Sequence, residues 1–154
     1  MEEGNSMLDK PSYGWTSFQP DDNWGMGLSY LDDIAFYWLD AAIGGLLRNE
    51  PFTVEGHSEP GYMTCKVTDH YCSIRYECFP YSNHAIINMT KGQFCQNLYE
   101  DISRDIDAWA AFCPQQLCDG HRAKRRRALR QRLRRLKKLL LNASGNSDTI
   151  LSAT

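Results

Sequence analysis

Three zinc-type donors, Cys113, Cys118 and His121, fall within nine consecutive residues. Thiolates and an imidazole this close could hold a tetrahedral metal, with a fourth ligand from Cys95 or a strand cysteine. Structural zinc sites are usually built on a tight pair of cysteines two residues apart. Here Cys113 and Cys118 have four residues between them, wider than that pair, so the spacing argues for no metal. The other chemistry-bearing types are scattered. His57, His70, His84 and His121 all fall in expected turns or loops, and a general base needs a positioned neighbour. There is no glycine-rich phosphate loop, nucleophile elbow or His-Glu-x-x-His run. The chain reads as a binding protein with no cofactor, and not as an enzyme.

Charge is the stronger signal. The formal net charge is only -2, yet the two parts of the chain are opposite in sign. Met1 to Cys118 holds 17 acidic and 6 basic residues, a balance of -11, and Asp119 to Thr154 holds 2 acidic and 11 basic, a balance of +9. An acidic body suits a cationic partner, and Asp32, Asp33, Asp40, Glu100, Asp101 and Asp105 are the candidate contacts. Asp101 and Asp105 stand one helical turn apart, as do Glu100 and Arg104, which makes a carboxylate-bearing helix face. The basic part suits phosphates, because each arginine or lysine displaces a counterion. There the candidates are Arg125, Arg126, Arg127, Arg130, Arg134 and Arg135. The competing reading is that the basic helix neutralises the acidic body of its own chain. The basic run has no Phe, Trp or Tyr, so it lacks the stacking residues of single-strand binders.

These side chains need elements to position them. Residues 1–28 carry Trp15, Phe18 and Trp24 without a period and read as an irregular arm anchored by its aromatics. Residues 29–118 read as an acidic α+β domain. Leu31, Ile34, Ala35, Trp38, Ala42, Gly45 and Leu46 make a helical stripe after a capping-box-like Ser29, closing near Arg48 before Pro51. Phe52 to Glu55, Met63-Cys65-Val67 and Cys72-Ile74-Tyr76-Cys78 alternate as strands, and after a loop through His84 the run Ala85 to Met89 gives another. Short turns between them imply an antiparallel meander. Thr90 with Gln93 is a capping box, followed by a long amphipathic helix through Phe94, Leu98, Ile102, Ile106, Trp109 and Phe112. Residues 119–141 read as a basic helix, in which Leu129, Leu133, Leu136 and Leu140 form a short heptad seam. Residues 142–154 read as a flexible tail. The expected fold is α+β: an antiparallel sheet of three to five strands packed by two helices, with a basic C-terminal helix appended.

The acidic N-terminus lacks a secretory signal layout and no apolar run reaches the roughly 18 residues of a membrane span. A cytoplasmic chain with six reduced cysteines is the corresponding expectation.

Several short stretches carry a resemblance: Ser29-Tyr30-Leu31-Asp32; Ala41-Ala42-Ile43-Gly44-Gly45-Leu46-Leu47-Arg48-Asn49-Glu50; Glu59-Pro60-Gly61-Tyr62; and Ser73-Ile74-Arg75 with Phe79. Over about residues 29–113 the chain resembles an uncharacterised group of small bacterial proteins. In these a Ser-Tyr-Leu helix ending in a Leu-Leu-Arg-Gly-Glu-like sequence leads into a Glu-Pro-Gly-Tyr turn and a hairpin. That group is similar to immunity proteins of polymorphic toxin systems in size, acidity and layout. The resemblance implies stoichiometric binding of a cognate toxin, a basic nuclease-type protein onto which an acidic inhibitor would be steered. No site residues come with it, and the basic helix lies outside it.

Overall fold

A computed structural model describes residues 6–114 and 120–152, with side chains as far as Ala143. The fold is α+β. In chain order the elements are β1 (Trp15–Asp21), β2 (Trp24–Ser29), α1 (Ile34–Arg48), β3 (Phe52–His57), β4 (Tyr62–Val67), β5 (Cys72–Cys78), β6 (Tyr81–Ile87), α2 (Lys91–Arg104), α3 (Ile106–Ala110) and α4 (Arg122–Ser152). The strands β3-β4-β5-β6 form one antiparallel meander, and β1-β2 a separate two-stranded sheet.

The meander follows from alternation. Phe52, Val54 and Gly56 of β3 and Met63, Cys65 and Val67 of β4 are buried, while their intervening neighbours face outward. A period of two places one set on the helix-covered face. β6 is one of the two edge strands and is mostly exposed. Its first four residues are polar or tipped with a hydroxyl, so alternation does not show there. The strand therefore starts at Tyr81, not at Ala85 as the pattern suggested, pairing Tyr81 with Cys78 across a two-residue connection.

The N-terminal segment is not the irregular arm its composition suggested. Trp15 pairs with Ser29 and Phe18 with Met26 in an antiparallel hairpin, and Ser29 closes β2 instead of capping α1. The reason is tertiary. Phe18 is fully buried and meets Trp38 edge-on at 5.1 Å and Trp24 edge-on at 5.9 Å. Trp38 is the hub: its Nε1 donates to Glu55 O at 2.9 Å, and its ring lies 6.1 Å from Phe94 of α2. Gly45 lets α1 approach β3, because a Cβ there would collide with the Phe52 ring. Asn49, in the left-handed conformation, ends α1 as the stripe required.

Thr90 and Gln93 form the capping box in both directions, at 3.1 and 2.9 Å. The long helix that follows is interrupted: Asp105, at φ -117 and ψ 38, separates α2 from α3. The break turns Trp109 into the core against Phe112, 5.2 Å away. α4 packs against α1, α2 and α3 and continues to Ser152, past the point where polar composition suggested a flexible tail. Its seam is core, with Leu129 and Leu136 fully buried and Leu133 nearly so. The basic helix is therefore an integral layer of the domain.

Candidate functional site

The side chains of α4 divide by helical angle. Arg125 and Arg132 are seven residues apart and project to the same side of the helix. So are Asp33, just before α1, and Asp40 within it. The two pairs meet in one register. Arg125 holds both oxygens of Asp33 at 2.8 and 2.9 Å, and Arg132 donates to Asp40 at 2.8 Å. A constant offset of 92 residues in both pairs means that α1 and α4 run parallel at this contact. Phe36 lies between the carboxylates, and both guanidiniums sit over its ring, at 4.6 and 4.7 Å from the centroid. Arg125 also donates through Nε to Ala110 O at 2.6 Å. Arg126 pairs with Asp107 of α3 at 2.5 Å.

Solvent access ranks these pairs. The side chains of Arg125 and Asp33 are 16 % and 23 % exposed, those of Arg132 and Asp40 32 % and 53 %. Exposed pairs contribute about 0–1 kcal/mol, so the first pair dominates.

The other expected carboxylate contacts are also occupied within the molecule. Asp32 accepts from His57 Nδ1 at 2.6 Å. Asp101 is buried, accepting from Leu8 N–H at 2.8 Å and from Arg104 at 3.2 Å. Burial pushes its carboxyl above the ordinary carboxylate range, opposed by those two donors. Asp105 pairs with Arg104 at 2.8 Å. Of the six, Glu100 alone is exposed without a cationic partner; it accepts from Gln96 at 2.9 Å. Of the six, only Asp101 is buried; Asp32, Asp33 and Asp105 are half-buried, and Asp40 and Glu100 are exposed.

The six arginines expected to meet phosphate split as well. Arg125 and Arg126 are turned toward Asp33 and Asp107. Arg127, Arg130, Arg134 and Arg135 are exposed, as are Lys124 and Lys138. Among the described residues none of these six makes an ion pair. At 1.5 Å per residue they cover about 21 Å along the helix. Lys124 and Lys138 were not singled out from sequence, although the register of the buried leucines places them on the outer side.

Of the zinc-type cluster, Cys118 lies outside the described residues. Cys113 is disulfide-bonded, which takes its sulfur out of metal ligation and departs from the expectation of six reduced cysteines. Cys65, Cys72, Cys78 and Cys95 are free thiols. No group of three or more candidate ligands is gathered among the described residues. No helix among them is long and apolar enough to cross a membrane.

No family model, curated protein or solved structure matches the chain.

Proposed function

We propose that this chain is a non-enzymatic binding protein that holds a nucleic-acid phosphate backbone on the outer face of α4. The observation that carries the reading is the division of the helix's cations. Three are neutralised by Asp33, Asp40 and Asp107, while six others stay exposed in one stripe. A helix kept only to neutralise the body needs the first set and not the second. A membrane surface is the less suited polyanion. An interfacial helix inserts an apolar face, and the apolar face of α4 is already spent on the core through Leu129, Leu133 and Leu136.

Reading the chain as an immunity protein rests on the resemblance and on the acidity of the body. Five of the six candidate carboxylates are paired internally, which leaves Glu100 as the one of the six that is exposed without a cationic partner.

Fluorescence anisotropy with a labelled duplex oligonucleotide tests the proposal. Raising salt from 50 to 200 mM should weaken binding about 10²-fold if four phosphates are neutralised and about 10³-fold if six are. Replacing Arg127, Arg130, Arg134 and Arg135 by Gln should reduce the slope of log K against log salt by about 3 to 4, whereas Arg126→Gln should leave it unchanged. Absence of binding at 50 mM salt, or an unaltered slope in the fourfold variant, would sink the reading. Binding to phosphatidylserine vesicles with none to oligonucleotide would move the face to a membrane.

A further inference from the structure

We infer that Tyr99 provides the aromatic platform that α4 lacks, so that the basic face takes single-stranded nucleic acid with one base stacked beside the helix. This rests on the phosphate-binding reading of α4. The sequence of the helix argues against single-strand binding because it contains no aromatic residue. The fold repairs this from outside. α2 packs along α4, and its Tyr99 is half-buried at the boundary between the two helices, with the Lys137 ammonium 6.0 Å from the ring centroid.

Tyr99 lines two shallow grooves. One, of about 260 Å³, is walled by Tyr99, Ser103, Ile106, Arg130, Leu133 and Arg134. The other, of about 470 Å³, runs between Tyr99, Gln96 and Gly92 on α2 and Lys137, Leu140 and Leu141 on α4. Each therefore joins an aromatic and aliphatic floor to a cation of the basic stripe or its margin. Single-strand binders combine the same parts: cations that track the phosphates and an aromatic face on which a base of any sequence can stack. A duplex keeps its bases inside the stack, so it could use the arginines but not the tyrosine. Ser103 and Gln96 add hydrogen-bonding side chains beside the ring. Glu100, the exposed carboxylate next to Tyr99, is opposed to phosphate.

The test compares a labelled 12-nucleotide single strand with a duplex of the same sequence, on the full chain at 50 mM salt. Tyr99→Leu retains an apolar side chain at the half-buried position and removes the π-face. It should weaken single-strand binding about tenfold, within the range of stacking losses on alanine substitution, and leave duplex binding within twofold. Tyr99→Phe should bind both as the parent does, and Glu100→Gln should tighten both modestly. Equal loss of both ligands in Tyr99→Leu, or no loss of either, overturns the stacking inference while the phosphate reading stands. Failure of the parent chain to bind either ligand overturns both. A thermal melt of Tyr99→Leu that matches the parent ties the loss to stacking; a melt lowered together with loss of both ligands counts against it.

Discussion

Breaking the contact between Arg125 and Asp33 should reveal how firmly the basic helix is held. Arg125 makes two charge-assisted hydrogen bonds to Asp33 and one to the carbonyl of Ala110, and its guanidinium covers Phe36. Hydrogen bonds to charged groups contribute about 1.5–3 kcal/mol each when well shielded. Here both partners keep some access to water, so an abandoned Asp33 carboxylate rehydrates in part and the full sum is not lost. We expect Arg125→Ala to cost about 2–3 kcal/mol and Asp33→Asn about 1–2 kcal/mol. The double variant should fall short of their sum by about 1 kcal/mol.

The assay is equilibrium urea unfolding of the parent, both single variants and the double variant, repeated at 0.1 and 1 M sodium chloride. At 1 M salt exposed charges are screened within about 3 Å, whereas a shielded pair is screened much less. The Arg125–Asp33 coupling should therefore survive high salt. The same cycle on Arg132 and Asp40 should give less than about 1 kcal/mol at low salt and nothing measurable at high salt. A coupling below about 0.3 kcal/mol for Arg125 and Asp33, or a larger one for the more exposed pair, would refute the ranking by solvent access.

Leu136 is fully buried, so Leu136→Ala should cost about 2–5 kcal/mol in urea unfolding. Leu141, 62 % exposed on the same helix, should change stability by less than about 0.5 kcal/mol on the same substitution. Burial pushes the Cys95 thiol up to about 12, so at pH 8 it should resist iodoacetamide in the native chain while half-buried Cys78 is labelled; mass spectrometry showing equal rates would contradict this. The folded Asp101 carboxyl binds its proton more tightly than the unfolded one, since burial raises it. Its contribution is thus fully present below the unfolded value, about 3.9, and is lost as pH rises through the folded value. Parent stability measured against Asp101→Asn should fall as pH rises from 4, and a relative rise would reverse the assigned sign.

What could be read from sequence depended on whether a local period survived. The alternation of β4 and β5 and the capping box of Thr90 and Gln93 each carry their own pattern, and those elements stand where the pattern put them; the stripe of α1 placed the helix and its end but not its start, since Leu31 lies before Ile34 and is exposed. β1 and β2 have no such pattern. Their pairing comes from Phe18 seating on Trp38, a contact between residues 20 positions apart that no local window contains. The break at Asp105 was hidden for a different reason. Apolar spacing continues across it through Ile106 and Trp109, so the periodicity gave no warning. For the candidate site, the sequence identified the charged residues but not their facing. Asp33, Asp40 and Arg125 were assigned to two surfaces, with neutralisation within the chain as the competing reading, and Arg132, which completes the contact, was not among the candidates.

That contact had one sign that a sequence can carry. Asp33, Phe36 and Asp40 have spacings of three and four, and Arg125, Leu129 and Arg132 have spacings of four and three. Two helices packed in parallel bring equal spacings into register, so a seven-residue interval between acids on one helix selects the same interval between arginines on the other. Both guanidiniums lie over the Phe36 ring, and Leu129, between Arg125 and Arg132 in sequence, enters the core. Once Arg125, Leu129, Arg132 and Leu136 are fixed inward, helical geometry leaves Arg127, Arg130, Arg134 and Lys138 no choice but the outer face. Asp33 and Asp40 thereby determine which cations α4 presents to solvent.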